Sequence, residues 1–113
     1  GDVMLEKNLA VSDLLDQYGA VIGERHRLLL DYYYNQDLSL AEIAVEVGIS
    51  RQGVRESIKK AEEELFFLES RLHLVQRDAE MARAAGALLS LPMSEDVRHG
   101  VLTLLGAAGL DEN

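Results

Sequence analysis

Residues 39–60, SLAEIAVEVGISRQGVRESIKK, constrain the fold more than any other part of the chain. Ser39 with Glu42 three positions on is a capping box, in which hydroxyl and carboxylate satisfy backbone donors at a helix start. Leu40, Ile43, Ala44 and Val47 then recur at helical spacing, with Glu42 and Glu46 on the opposite side. Gly48 follows where a helix ends most cheaply with positive φ, and Ile49 turns back toward the apolar side. Ser50 is a second N-cap, after which Val54, Ile58 and Ala61 face inward while Arg51, Gln52, Arg55, Glu56 and Lys59 face out. A plain helical hairpin would share this hydrophobic pattern. Small Ala44 at the crossing, Gly48 in the turn and branched Val54 and Ile58 beyond it meet the steric demands of a helix-turn-helix.

The net charge of −9 argues against a nucleic-acid partner, because such affinity comes largely from neutralising phosphates. Its distribution weakens that objection. Residues 25–60 carry six Lys and Arg against five acids, whereas residues 61–113 carry four Arg against ten. Arg51, Arg55 and Lys59, four apart, lie along one helical stripe with Lys60 beside them. A solvated basic face has the same spacing; its place on the second helix of the motif is what points to binding.

Upstream, Leu9, Val11, Leu14, Leu15, Tyr18, Val21 and Ile22 predict a helix over about residues 7–22, interrupted near its end by Gly19 and Gly23. A second helix is expected over 24–35, with Leu28, Leu29, Tyr32 and Tyr33 inward, before a turn at Asn35, Gln36 and Asp37. Tyr32, Tyr33 and Tyr34 resemble a base-stacking platform, but neighbours on a helix point about 100° apart, so core packing is the better reading. Arg25 and Arg27 sit at the helix start, where the macrodipole prefers acids, which suits either phosphate contacts or ordinary surface charges.

Downstream, Val54, Ile58, Ala61, Leu65, Leu68, Leu72, Val75, Ala79, Ala82, Gly86 and Leu89 alternate steps of four and three. No proline precedes Pro92, so one helix is expected from residue 51 to about 90, about 60 Å long at ~1.5 Å per residue. Such a helix needs cover. After the Pro92 turn, Ser94 can cap a last helix bearing Val97, Val101, Leu104, Leu105 and Ala108, which reaches only part of the seam. The reading is therefore both a fold-back hairpin and a homodimer seam through Leu65, Leu68, Leu72, Val75, Ala79 and Ala82. The alternative is a break near Gly86 and a monomeric bundle.

The chain is similar to the fourth, promoter-reading region of bacterial sigma factors. It resembles still more the small YlxM-like (p13-like) helix-turn-helix proteins, through LLLDYYYNQDLSLAEIA, VGISRQGV and IKKAEEEL, about two thirds of its length. The resemblance implies DNA binding and a regulatory or accessory role linked to the signal recognition particle, beside whose protein genes that family tends to be encoded. Gly53 departs from the family's SRQAV, and glycine costs about 1 kcal/mol relative to alanine in a helix.

The expected architecture is all-α: a three- to four-helix head, winged-helix-like or sigma-region-4-like, over residues 1–62, then a long helix and a final packing helix over 63–113. Leading Gly1 reads as a tag remnant. The absence of cysteine and of a basic start followed by an apolar run fits a cytoplasmic protein outside the membrane. His26, His73 and His99 have no metal-ligand spacing, Glu62, Glu63 and Glu64 read as a solvated face, and no phosphate loop or nucleophile elbow occurs. No cofactor, metal or catalytic role is expected. The function expected is DNA binding, with Gln52 on an adenine edge, Arg51 or Arg55 on guanine or phosphate, and Lys59, Lys60, Arg25 and Arg27 on the backbone. RNA of the signal recognition particle is a second candidate ligand. The rival is a protein-interaction adaptor of that particle or of RNA polymerase.

Overall fold

A computed structural model of the chain describes Asn8 and residues 10–110, in two units, Gly1–His73 and Leu74–Asn113. The described residues form helices and connections, with no strand among them, so the head carries no wing there.

The first unit is a four-helix head: α1 (Ala10–Tyr18), α2 (Glu24–Leu30), α3 (Leu40–Val47) and α4 (Arg51–Leu72). Val11, Leu14, Leu15 and Tyr18 are the buried stripe of α1, at the i, i+3, i+4, i+7 spacing of one helical face. The predicted start at residues 7 and 9 lies outside the described residues. The helix stops at Tyr18, four residues before the expected end. A Cβ on Gly19 would stand 2.6 Å from the Leu15 carbonyl oxygen, so only glycine fits this close turn. The Val21 amide bonds back to the Tyr18 carbonyl, leaving Val21 exposed where it was expected inward, while Ile22 stays in the core.

After Leu30, α2 widens into a π-helical turn, Asp31–Asn35, closed by the Gln36 amide on the Asp31 carbonyl at 3.0 Å. The inward side is Leu29, Leu30 and Tyr33; Leu28 is exposed and Tyr32 half-buried, against expectation. The turn places Tyr33 in the core and sends Tyr34 toward α4, where its hydroxyl donates to Glu62. Tyr33 is therefore a packing residue and Tyr34 an interhelical donor, while Tyr32 is half-buried.

The capping box holds: the Glu42 amide donates to Ser39 Oγ at 3.1 Å and the Ser39 amide to Glu42 Oε1 at 2.9 Å. Gly48 ends α3 at φ 76°, ψ 32°, and both its amide and that of Ile49 reach the Ala44 carbonyl. Ser50 caps α4 through the Gly53 amide at 2.9 Å. Along α4, Val54, Ile58, Ala61 and Leu65 are fully buried, and α1, α2 and α3 all pack on that stripe. It is the common wall of the head.

The expected single helix to residue 90 is interrupted. His73 adopts left-handed φ 56°, ψ 29° as its amide bonds to the Glu69 carbonyl, ending α4. Histidine is a weak helix former and one of the few non-glycine residues enriched in that conformation. The break comes there and not at Gly86, which stays helical inside α5 (Leu74–Leu89). The a/d seam is thus divided. Leu65 belongs to the head's own core at 0% exposure and is unavailable to a partner chain; Leu68 and Val75 are half-buried, and Leu72, Ala79 and Ala82 exposed. Residues 63–72, assigned from sequence to the second part, lie in the first unit.

In the second unit, α5 is followed by a turn at Pro92 and by α6 (Glu95–Ala107), capped by Ser94 Oγ on the Val97 amide at 3.2 Å. Arg98 Nη2 donates to the Leu89 carbonyl at 3.3 Å, satisfying one of the orphan acceptors at the end of α5. The fold-back hairpin is present.

Candidate nucleic-acid interface

The exposed side of α4 is set by what its other side buries. With Val54, Ile58, Ala61 and Leu65 fixed against α1 to α3, a rotation of about 100° per residue turns Gln52, Glu56, Lys59 and Lys60 away from the core. Gln52, Lys59 and Lys60 are exposed accordingly, and Arg55, nearer the core edge, is half-buried.

The start of α4 gathers three of the expected binding residues. Arg51, Gln52 and Arg55 line one shallow recess with Leu40, the first residue of α3. This end of the helix carries the positive pole of the macrodipole, which disfavours arginine in isolation and favours an anion brought to it. Leu40 is not among the residues the sequence offers for this site. As a core-facing residue at a helix start it gave no binding signal; only the packing of α3 on α4 brings it there.

One contact modifies the face. Gln52 Nε2 donates to Glu56 Oε2 at 3.1 Å, one helical turn away. The amide that the sequence offers for a base edge is thus held by an acid of the same helix. Lys59 sits near Glu62 and favours its ionised form, but burial, the larger effect, pushes the Glu62 carboxyl above its ordinary value; the Tyr34 hydroxyl bonded to it works in the same direction as Lys59.

Arg25 and Arg27 are exposed but not gathered with this group. Arg25 shares a recess with Glu24, His26 and Glu64, and His26 Nδ1 lies 3.0 Å from Glu64 Oε1. Glu64 is thirteen residues beyond Arg51 on α4, roughly 20 Å along the axis. Arg27 stands beside Asp31 in a recess that also holds Asp16 and Asn35. Hydrogen bonds from Asn35 and Gln36, aided by Arg27, hold the Asp31 carboxyl below its usual range. Both arginines have acidic neighbours.

The Glu62, Glu63, Glu64 run is not the uniform solvated face expected. Glu62 accepts from Tyr34 and Glu64 meets His26, so two of the three acids tie the head together, leaving Glu63 on the exposed side.

Comparison with known proteins identifies the family. Residues 5–91 match the family described as "Putative helix-turn-helix protein, YlxM / p13 like", UPF0122. A UPF0122 protein of Clostridium kluyveri is 46% identical over 72 residues, which cover 64% of this chain and 65% of that protein. One from Caldanaerobacter subterraneus subsp. tengcongensis is 43% identical over 70 residues, 62% of this chain and 60% of its own. Another, from Bacillus cereus strain AH187, is 38% identical over 93 residues, 82% of this chain and 84% of its own. The match thus spans just under two thirds of the length of the first two relatives.

Proposed function

We propose, from the premise that this chain belongs to the UPF0122 family of YlxM/p13-like helix-turn-helix proteins, that α4 is a recognition helix for duplex DNA in a regulatory protein. The observation that carries this reading is the convergence of Arg51, Gln52 and Arg55 on one recess at the capped start of α4. A helix entering the major groove presents its N-terminal residues to base edges, and these are the side chains suited to guanine, adenine and phosphate. Lys59 and Lys60 lie farther along the same exposed side, where they meet the backbone. Arg25 and Arg27, flanked by acids, are left outside the interface.

Glu56 and Glu46 stand near the basic stripe on a chain of net charge −9, so a single copy binds weakly and two copies are needed for useful affinity. The working form we propose is a homodimer in the cytoplasm with no catalytic activity. No helix among the described residues is long and apolar enough to cross a membrane.

The test is fluorescence anisotropy against mixed duplex DNA and against a signal-recognition-particle RNA hairpin, each at several salt concentrations. Duplex binding that weakens steeply with salt, and is lost when Arg51 and Arg55 are both changed to glutamate, supports the reading. Hairpin binding with no duplex binding transfers the role to RNA and supports the link to the particle that the family resemblance implies. A-form RNA has a major groove too narrow for side chains, so that outcome requires a loop or bulge as ligand.

A second reading is favoured by the exposed apolar residues of α5 and α6: a protein-interaction adaptor of the signal recognition particle or of RNA polymerase. Absence of binding to both nucleic acids at low salt selects it.

A further inference from the structure

No residue of α5 or α6 is buried. Met81, Leu88, Leu91, Val97 and Leu104, on these helices and the turn between them, are 40 to 69% exposed. Two helices laid side by side cover only one stripe of each, and segments below ≈40 residues rarely make a core alone. The hairpin opens an apolar groove where Ala85, Val101 and Leu105 are half-buried and Met81, Leu88 and Leu104 are exposed. A contiguous apolar surface of this kind marks an interaction site.

We propose that this groove receives the same groove of a second copy, joining two hairpins into a four-helix bundle with twofold symmetry. The inference deepens the two-copy reading above and does not depend on the nucleic acid bound. Two observations commit the occupant. The first is charge: residues 74–110 carry three Arg against four acids, a small share of the chain's net −9, so two hairpins meet with little repulsion. The second is area. Met81, Leu88 and Leu104 in the groove, with Leu91 and Val97 elsewhere on the hairpin, expose roughly 500 Å² together, and a stable homodimer interface of ~800 Å² per partner is about 65% apolar. The hairpin therefore supplies the apolar area that a dimer requires.

The interface also moves relative to the sequence pattern. Leu65 is taken by the head, so the dimer surface shifts from the seam of α4 to the α5–α6 groove.

Sedimentation velocity of the full chain tests this, with wild type compared against Leu88→Glu/Leu104→Glu. Both positions are at least 40% exposed within one chain, so the substitutions leave the helices intact by circular dichroism. The expected result is a dimer at about 10 μM for the wild type and at least a hundredfold weaker association for the variant. A second readout avoids any folding ambiguity: the chain has no cysteine, so Leu104→Cys with a short bismaleimide yields covalent dimer, whereas Val45→Cys, exposed on α3, yields none. A wild type that is monomeric at about 100 μM overturns both the groove and the two-copy reading. A dimer that persists in the glutamate variant, or crosslinks at Val45→Cys and not at Leu104→Cys, overturns the groove alone.

Discussion

The hydroxyl of Tyr18 on α1 donates to Glu69 Oε1 on α4 at 2.5 Å, joining residues 51 apart in sequence. Tyr18 is almost wholly buried and Glu69 half-buried. This contact keeps α4 engaged with the head well past Leu65, the last of its fully buried residues. Changing Tyr18 to Phe removes the donor and little volume. Because Glu69 retains access to water, the expected loss is about 1 kcal/mol, or roughly 4–8 °C in Tm for a unit of this size. Thermal circular dichroism measures it; no change in Tm would mean the hydrogen bond contributes nothing to the head.

Two carboxyls of the head respond to pH with opposite sign. Asp31 has a folded pKa below its ordinary value, so it stabilises the fold above the unfolded pKa and that contribution is lost as pH falls through the folded one. Glu62 is raised, chiefly by burial, so the fold is favoured while it is protonated and loses that preference as pH rises through the folded value. Glu62→Gln, which keeps an acceptor for Tyr34, is therefore expected to match the wild type at pH 3 and to exceed it at pH 7. The gain is at most about 1 kcal/mol once solvent screening of a half-exposed group is allowed for. Asp31→Asn should lose stability at pH 7 and little at pH 2. Tm against pH for the three proteins checks both signs, and a Glu62→Gln protein weaker than wild type only at neutral pH would reverse the first.

Glu56 holds the Gln52 amide at 3.1 Å, and its negative charge opposes the phosphate contacts proposed for this face. Its replacement by Gln removes one acid from the proposed DNA face. Duplex affinity at low salt should rise severalfold, on the scale of up to about 1 kcal/mol for an exposed charge. Anisotropy titration decides it; unchanged affinity would place Glu56 outside the interface.

Gly53 lies in the first turn of α4, and a Cβ there would approach Ser50 Oγ to 3.2 Å and Ile49 Cδ1 to 3.4 Å. Alanine gains about 0.4–1 kcal/mol by restricting the unfolded chain and gives part of it back by nudging the capping hydroxyl. Gly53→Ala is expected to raise Tm by a few degrees. A lowered Tm would show that Ser50 cannot shift without breaking its bond to the residue 53 amide.

Much of this was legible in the sequence because it rests on local chemistry. Ser39 with Glu42, Gly48 and Ser50 specify two helix starts and one stop through backbone donors and acceptors only a few residues away, and the structure forms each of them. The inward stripe Val54, Ile58, Ala61 and Leu65 follows from helical periodicity, as does the exposed basic side opposite it. The family resemblance rests on residues 28–65, which include this stretch, and lies within the residues 5–91 that match the family.

What the tertiary structure decided depends on groups far apart in sequence. The heptad pattern runs through His73 unbroken, so periodicity assigned Leu65 to a dimer seam; packing of α1, α2 and α3 on α4 gives it to the head instead. The Tyr34–Glu62 and His26–Glu64 contacts turn an apparently solvated acidic run into interhelical acceptors. Arg25 and Arg27 looked like companions of Arg51 and Arg55, yet the fold sets them beside Glu64 and Asp31 while Leu40 enters the recess. Periodicity reports only which side of a helix is apolar. Which neighbour covers that side, and where the helix yields to left-handed backbone, is settled by competition among distant side chains for the same buried surface.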